Sequence, residues 1–361
     1  MNKKILAVIA LCLAMVLALA ACAQAPNEAE PTPSAAPGQT EQTAPNGEDN
    51  PDVPEFEEED AEAYALNVAA LVGPTGIGMV KLMEDGEAGK YDSAFQAGIT
   101  LASSPDELTG KLITGELDIA CVPTNLAAVL YQKTEGGIKL AALNTLGVLY
   151  ILEKGENVQS VADLAGKTVL ATGEASMPEY IVDYVLEKNG LSDSVKVEYL
   201  TEHSELAAKA VAGDVDLCIL PEPFVSRVVA KNPEMRVALS LTEEWNAASE
   251  GTELSMGCIV VRSELLTNPE GKAAVDAFLA AYAESAQYVA ANPAEAADLV
   301  VKYKIMDSAE LAAAVIPRCN IVYIDGEAMK THASALYQVL FAANPKSIGG
   351  ALPDDALYYF K

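Results

Sequence analysis

Six short segments carry side chains able to hold a small polar molecule, and each falls just past a predicted strand. They are Thr75-Gly76-Ile77-Gly78, Ser103-Ser104, Pro123-Thr124-Asn125, Asn144-Thr145, Thr172-Gly173-Glu174-Ala175-Ser176 and Glu222-Pro223-Phe224. In open α/β sheets the loops beyond the carboxyl ends of parallel strands form the ligand crevice, so hydroxyl, amide and glycine residues gathered there point to hydrogen bonding. The candidate ligand-binding residues are therefore Thr75, Gly76, Ile77, Ser103, Thr124, Asn125, Thr145, Thr172, Glu174, Ser176 and Glu222. Gly76 and Gly78 would let backbone N–H groups approach a ligand oxygen, or would simply make a tight turn. Ser104 and Ser176 read first as helix caps. Glu174 and Glu222 read either as partners for a cationic or N–H-bearing ligand group or as solvated loop acids. Trp245, the single tryptophan, would stack on a flat ligand or pack in the core.

Catalytic signatures are missing from the sequence. It has no G-x-S-x-G elbow, no H-E-x-x-H and neither glycine-rich nucleotide fingerprint, and its two histidines, His203 and His332, have no nucleophile beside them. Cys121, Cys218, Cys258 and Cys319 include no C-x-x-C pair, and three of them lie in apolar stretches that read as buried strands. No enzyme activity, metal or cofactor is expected.

The elements that would position the loops alternate strand with helix, the pattern of an α/β fold with largely parallel sheets. Strands are predicted at Leu66–Val72, Phe95–Ala102, Leu117–Val122, Ile138–Leu143, Lys167–Ala171, Val195–Leu200, Val215–Leu220 and Met256–Arg262. Ser104-Pro105-Asp106-Glu107 and Ser176-Met177-Pro178-Glu179 read as capping boxes. After Arg262 the chain turns to alanine-rich helices. One frame occurs twice: Gly115-Glu116-Leu117-Asp118-Ile119 through Pro123, and Gly213-Asp214-Val215-Asp216-Leu217 through Pro221. Two copies suit a pair of similarly wound lobes.

Ahead of this body stand Lys3-Lys4, an apolar run from Ile5 to Ala21, and Leu19-Ala20-Ala21-Cys22. This is the form of a bacterial lipoprotein signal over residues 1–21, with Cys22 as the lipidated mature N-terminus, its sulfur and amine carrying palmitate-type chains. Residues 22–63 read as a disordered acidic tether, because twelve acidic residues and no basic ones follow Cys22 as far as Ala63 and apolar side chains are sparse. The body retains 21 of the 23 basic and 40 of the 52 acidic residues, which disfavours nucleic acid as a partner.

The body resembles the solute-binding proteins of ABC importers, the class that includes nitrate, sulfonate and taurine binders and thiamine-precursor (pyrimidine) binders. The resemblance rests on Gly73-Pro74-Thr75-Gly76-Ile77-Gly78, the Gly115…Asp118 and Gly213…Asp216 pair, Ser160-Val161-Ala162-Asp163-Leu164-Ala165-Gly166-Lys167-Thr168-Val169 and Leu220-Pro221-Glu222-Pro223-Phe224. It implies an α/β, two-lobed, type II periplasmic-binding-protein-like fold, each lobe a mainly parallel sheet flanked by helices. Lobe 1 would comprise 64–146 plus 256–361 and lobe 2 147–255, with hinge crossings near Gly147–Leu152 and Glu253–Cys258. It also implies a lipid-anchored monomer at the outer face of a bacterial membrane, closing over a small organic solute and presenting it to an ABC permease. A ligand-sensing lipoprotein would share these features, whereas a cytosolic enzyme of related fold would lack the export signal. With no Lys or Arg in the six segments, a neutral or zwitterionic solute is favoured over an inorganic anion.

Overall fold

The computed structural model describes residues 63–361. The expected signal, Cys22 and all of the tether but Ala63 lie outside the described residues. In chain order the elements are β1 (Tyr64–Leu71), α1 (Pro74–Ile77), α2 (Val80–Glu87), β2 (Phe95–Ala102), α3 (Pro105–Thr114), β3 (Ile119–Pro123), α4 (Thr124–Lys133) and β4 (Ile138–Thr145). There follow β5 (Leu149–Lys154), β6 (Thr168–Thr172), α5 (Met177–Lys188), β7 (Lys196–Leu200), α6 (His203–Ala212), β8 (Leu217–Pro221), α7 (Phe224–Lys231), β9 (Met235–Ser240) and α8 (Leu241–Ala248). The chain ends with β10 (Gly257–Arg262), α9 (Pro269–Ala291), α10 (Pro293–Lys302), α11 (Ala309–Val315), β11 (Ile321–Ile324) and α12 (Gly326–Ala343).

Two sheets result, in the orders β11-β4-β10-β3-β1-β2 and β7-β6-β8-β5-β9. Both are mixed. In the first, β1 pairs parallel with β2 and β3, while β10 runs antiparallel between β3 and β4 and β11 antiparallel beside β4. In the second, β6 pairs parallel with β7 and β8, and β5 runs antiparallel between β8 and β9. The chain passes from the first sheet to the second between Thr145 and Leu149, and returns between α8 and Gly257. Each passage delivers a reversed strand into the interior of a sheet, and sequence periodicity carries no information about that reversal.

The duplicated sequence frame has a geometric cause. Gly115 closes α3 at φ 82°, Gly213 closes α6 at φ 81°, and both accept the left-handed conformation that ends a helix. A strand follows each glycine. The Asp118 carbonyl accepts from Arg262 N at 3.0 Å and the Asp216 carbonyl from Lys154 N at 2.7 Å. The frame therefore marks, in each sheet, the strand that receives the crossing strand: β3 takes β10 and β8 takes β5.

Burial follows the layers. β10 is an unbroken apolar run because both of its faces are covered, whereas β2, at the sheet edge, alternates buried and exposed. One apolar cluster includes Val122 and Cys258 from the first sheet, Ile151 and Val169 from the second, and Leu336 and Leu340 from α12. A second joins Leu66, Val68 and Ile119 to Phe278 and Tyr282 of α9, and a third joins Leu152 and Cys218 to Leu206 and Val225. Trp245 is fully buried against Tyr184, with ring centroids 4.6 Å apart, which assigns it to the core. All four body cysteines are buried and free, and burial pushes Cys121 and Cys218 up to about 12, so these thiols are inert at neutral pH.

Two predicted caps form differently. Ser104 and Ser176 start α3 and α5 without a side-chain cap bond; Glu107 instead accepts from Ser103 N and Ser104 Oγ, and Glu179 from Ala175 N. The reciprocal capping box is at Ser160 and Asp163. Gly76 is required by close packing: a Cβ there would lie 2.6 Å from the Leu71 carbonyl oxygen. Gly76→Ala should therefore cost about 1–3 kcal/mol in urea unfolding, the usual range for overpacking. Gly110→Ala, inside α3 with open space around it, should be neutral or gain up to about 1 kcal/mol.

Candidate functional site

The carboxyl ends of β1, β3 and β4 and the amino end of β10 meet. Gly257 lies opposite Pro123 and Thr145 in register, and its Cα faces Asn144 Oδ1, Thr145 Cβ and Thr75 Cγ2 so closely that a Cβ would stand 2.7, 2.9 and 3.0 Å from them. Thr124 N donates to the Met256 carbonyl at 3.1 Å, and Met256 N to the Thr145 carbonyl at 3.0 Å. The structure thus brings Thr75, Thr124 and Thr145 together, and adds Asn144 and the 255–257 segment. Five side chains at or near this junction are buried with polar atoms lacking protein partners: Thr124 Oγ1, Asn144 Oδ1 and Nδ2, Thr145 Oγ1, Ser255 Oγ and Thr242 Oγ1. An unpaired buried polar group costs about 1–3 kcal/mol, and here Asn144 has Cys121 and Tyr282 beside it and Thr124 has Cys258, so part of this cluster is satisfied within the chain.

Thr75 Oγ1 donates to the Leu71 carbonyl at 3.2 Å, and the remaining first-sheet candidates also have structural roles. The N–H groups of Gly76 and Ile77 both donate to the Gly73 carbonyl, at 3.0 and 2.9 Å, and Gly78 N to Pro74 O at 3.4 Å, so the turn consumes the amides it was expected to offer. The Gly78 carbonyl accepts from Ser285 Oγ at 2.8 Å, which fastens the turn to α9. Ile77 is buried and Ser103 exposed. Asn125 Nδ2 donates to the Ser347 carbonyl at 3.2 Å.

On the second sheet Thr172 is buried, with Oγ1 2.5 Å from His203 Nδ1, and the His203 ring lies 5.4 Å from that of Phe224. The ends of β6, β7 and β8 thereby present a hydroxyl, an imidazole and a phenyl ring side by side. Burial lowers the His203 pKa, keeping the ring neutral at neutral pH. His203 was set aside in the sequence because no nucleophile stands beside it, yet it follows a strand end at the same short offset as the other candidates. Glu174 is exposed, and Ser176 Oγ donates to the Gly173 carbonyl at 2.6 Å.

Glu222 is committed inward. Its carboxylate accepts from Ser226 N at 3.1 Å and Ser226 Oγ at 2.8 Å, with Arg318 Nε 4.0 Å away. Arg318 Nη1 also donates to Ser226 Oγ, and the Arg318 carbonyl accepts from Tyr150 OH at 2.8 Å. Asn320 Nδ2 donates to the Gly147 carbonyl at 2.6 Å. No sequence signal singled out Arg318 or Asn320, because they arrive from the segment between α11 and β11, far from any predicted strand end. Among the described residues no group of three or more His, Cys, Asp or Glu side chains could hold a metal ion.

The family profile described as NMT1/THI5 like matches residues 112–296, just over half of the chain and including both crossings. The chain belongs to the NMT1/THI5-like family. A solved structure described as an ABC transporter from Parabacteroides distasonis is similar at 25% identity and TM-score 0.68, over 82% of this chain and 99% of that one. The periplasmic aliphatic sulphonate binding protein SsuA from Escherichia coli is 17% identical with TM-score 0.62, over 82% and 92%. The periplasmic nitrate-binding protein NrtA from Synechocystis PCC 6803 is 16% identical with TM-score 0.52, over 80% and 84%. No curated protein sequence matches. The fold of this NMT1/THI5-like chain is accordingly the type II periplasmic-binding-protein fold, α/β with two mixed sheets.

Burial raises the Glu222 pKa, against the lowering effects of Ser226 and Arg318. The folded protein therefore holds this proton more tightly than the unfolded chain, and stability falls as pH rises from the unfolded pKa through the raised folded value. Relative to Glu222→Gln, the parent should lose unfolding free energy as pH increases above about 4.5 and reach a constant offset once Glu222 is ionised. Parallel urea curves from pH 4 to 8 test this; an offset that grows toward acid pH would contradict it.

Proposed function

We propose that the chain is the solute-binding component of an ABC importer, capturing a small organic molecule between its two sheets and delivering it to a membrane permease. The observation that carries this reading is the junction at the first sheet's strand ends, where five buried polar side chains gather beside the chain crossings. Family membership and the similarity to SsuA and NrtA support it. The role is binding rather than catalysis. Thr75, Thr124, Thr145 and Asn144 would face the solute from one side, and Thr172, His203 and Phe224 from the other.

The chemistry favours a neutral or zwitterionic solute. The unpartnered groups are hydroxyls and one amide, and of the two cations near the second sheet's strand ends Arg318 already faces the Glu222 carboxylate, while Arg227 lies over the Phe224 ring, 5.5 Å from its centre. The His203 and Phe224 rings suit a flat heterocycle. Cys22 would carry the lipid, and the acidic segment after it would hold the body at the outer face of the membrane, within reach of the permease.

Calorimetric screening of vitamins, their heterocyclic precursors, amino acids, nitrate and alkylsulfonates should find a neutral or zwitterionic binder. Thr124→Val and Asn144→Leu should each weaken it about 5–10-fold, the loss of one net hydrogen bond. Tight binding of nitrate or an alkylsulfonate with no response to heterocycles or amino acids would refute the solute class. Growth with a palmitate analogue should label the parent but not Cys22→Ser; an unlabelled parent would refute the anchor.

A further inference from the structure

A groove of about 560 Å³ lies away from the strand ends, between α5 and α8 of the second sheet's layer and α12. It is larger than a single ordered water requires and falls within the range of small-molecule sites. Tyr184 forms one wall, backed by the fully buried Trp245, Val339 and Ala342 of α12 face it, and Asp183 and Glu187 stand on the rim one helical turn apart. Ser249 and Thr252, in the segment that carries the chain back to the first sheet, complete the lining.

Three observations define its chemistry. Among the described residues neither the Asp183 nor the Glu187 carboxylate makes a hydrogen bond or ion pair, although Lys188 also lines the groove. Lys188 Nζ lies 5.5 Å from the centre of the Tyr184 ring, so the wall already accommodates an ammonium group. Trp245 is fully buried, and its Nε1–H has no acceptor. An apolar surface, a π-face able to receive a cation and rim carboxylates are together the features that recognise an organic ammonium ion.

We propose that this groove is a second small-molecule site, taking a ring-bearing organic ammonium ion whose ring packs between Tyr184 and α12 while its charge is held by Asp183 and Glu187. The wall elements come from both sheets' layers and from the returning segment, so an occupant bridges the parts that must shift when the strand-end crevice changes width. This site is independent of the solute reading above, since none of its residues belongs to the strand-end junction.

Trp245 is the only tryptophan, so its emission reports this groove selectively. Phenethylamine titrated into the purified protein should change Trp245 emission saturably. Phenethyl alcohol, the uncharged match, should bind at least tenfold more weakly. Asp183→Asn with Glu187→Gln should weaken the amine about 5–10-fold, and Lys188→Gln, which frees the Tyr184 face, should tighten it. Both carboxylates are exposed, so the double variant should retain the parent's thermal unfolding. Absence of a saturable change up to millimolar amine, equal binding of the alcohol, or unaltered amine affinity in the folded double variant would overturn the proposal.

Discussion

The crossing strands hold this molecule together. β10 enters the first sheet between β3 and β4, and β5 enters the second between β8 and β9, each hydrogen-bonded on both sides. A passage between lobes that ended in edge strands could peel away; these cannot move without breaking two ladders at once. On the proposed reading, a change in the angle between the sheets would fall on residues 146–148 and 249–256, which join them. The first of these segments is short and packed, since Thr242 and Leu254 close on the Cα of Gly147 so tightly that only glycine fits. Because both crossings open onto strand ends, the junction of Thr75, Thr124, Asn144 and Thr145 lies beside the segments that join the two sheets.

A third tie reinforces the crossings. The segment after α11 places Arg318 against Ser226 and Glu222, receives the Tyr150 hydroxyl on the Arg318 carbonyl, and sends the Asn320 amide to the Gly147 carbonyl. These contacts link the helical tail to both the first crossing and the end of β8. The Glu222 carboxylate is buried at a desolvation cost that Ser226 and Arg318 offset only in part, as its raised pKa records. Such a pair contributes little net stability but fixes geometry, because removing one partner strands the other.

What the sequence disclosed depended on whether a feature was local. The strands flanked by glycine or proline signals, such as Phe95–Ala102, and the paired Gly115 and Gly213 frames follow from helix capping and apolar runs, which neighbouring residues determine. β5, β9 and β11 were not read. β5 lies inside a segment expected to be hinge, β9 carries a mixed burial pattern, and β11 has only four residues. Strand direction was also illegible, since β5 and β10 reverse only because the chain changes sheets before them. At the site, loop positions beyond strands were found, but the partners of their polar atoms were not. The glycine turn spends its amides internally, Glu222 turns inward to Ser226, and Arg318 arrives from a distant segment; each is decided by tertiary packing.

The pairing of Arg318 with Glu222 also bears on which solutes the crevice admits. An anionic solute that recruited Arg318 would leave Glu222 in a site where burial already disfavours its ionised form. Stranding a buried charge costs about 3–5 kcal/mol, whereas a charge-assisted hydrogen bond to the solute gains about 1.5–3 kcal/mol. The balance then turns on whether Glu222 takes up a proton, which its burial favours and which lessens the penalty. A neutral or zwitterionic solute would avoid the conflict by pairing with hydroxyl and amide groups of the junction such as Thr145. On the proposed reading, selection against anions would rest on this contact between Arg318 and Glu222.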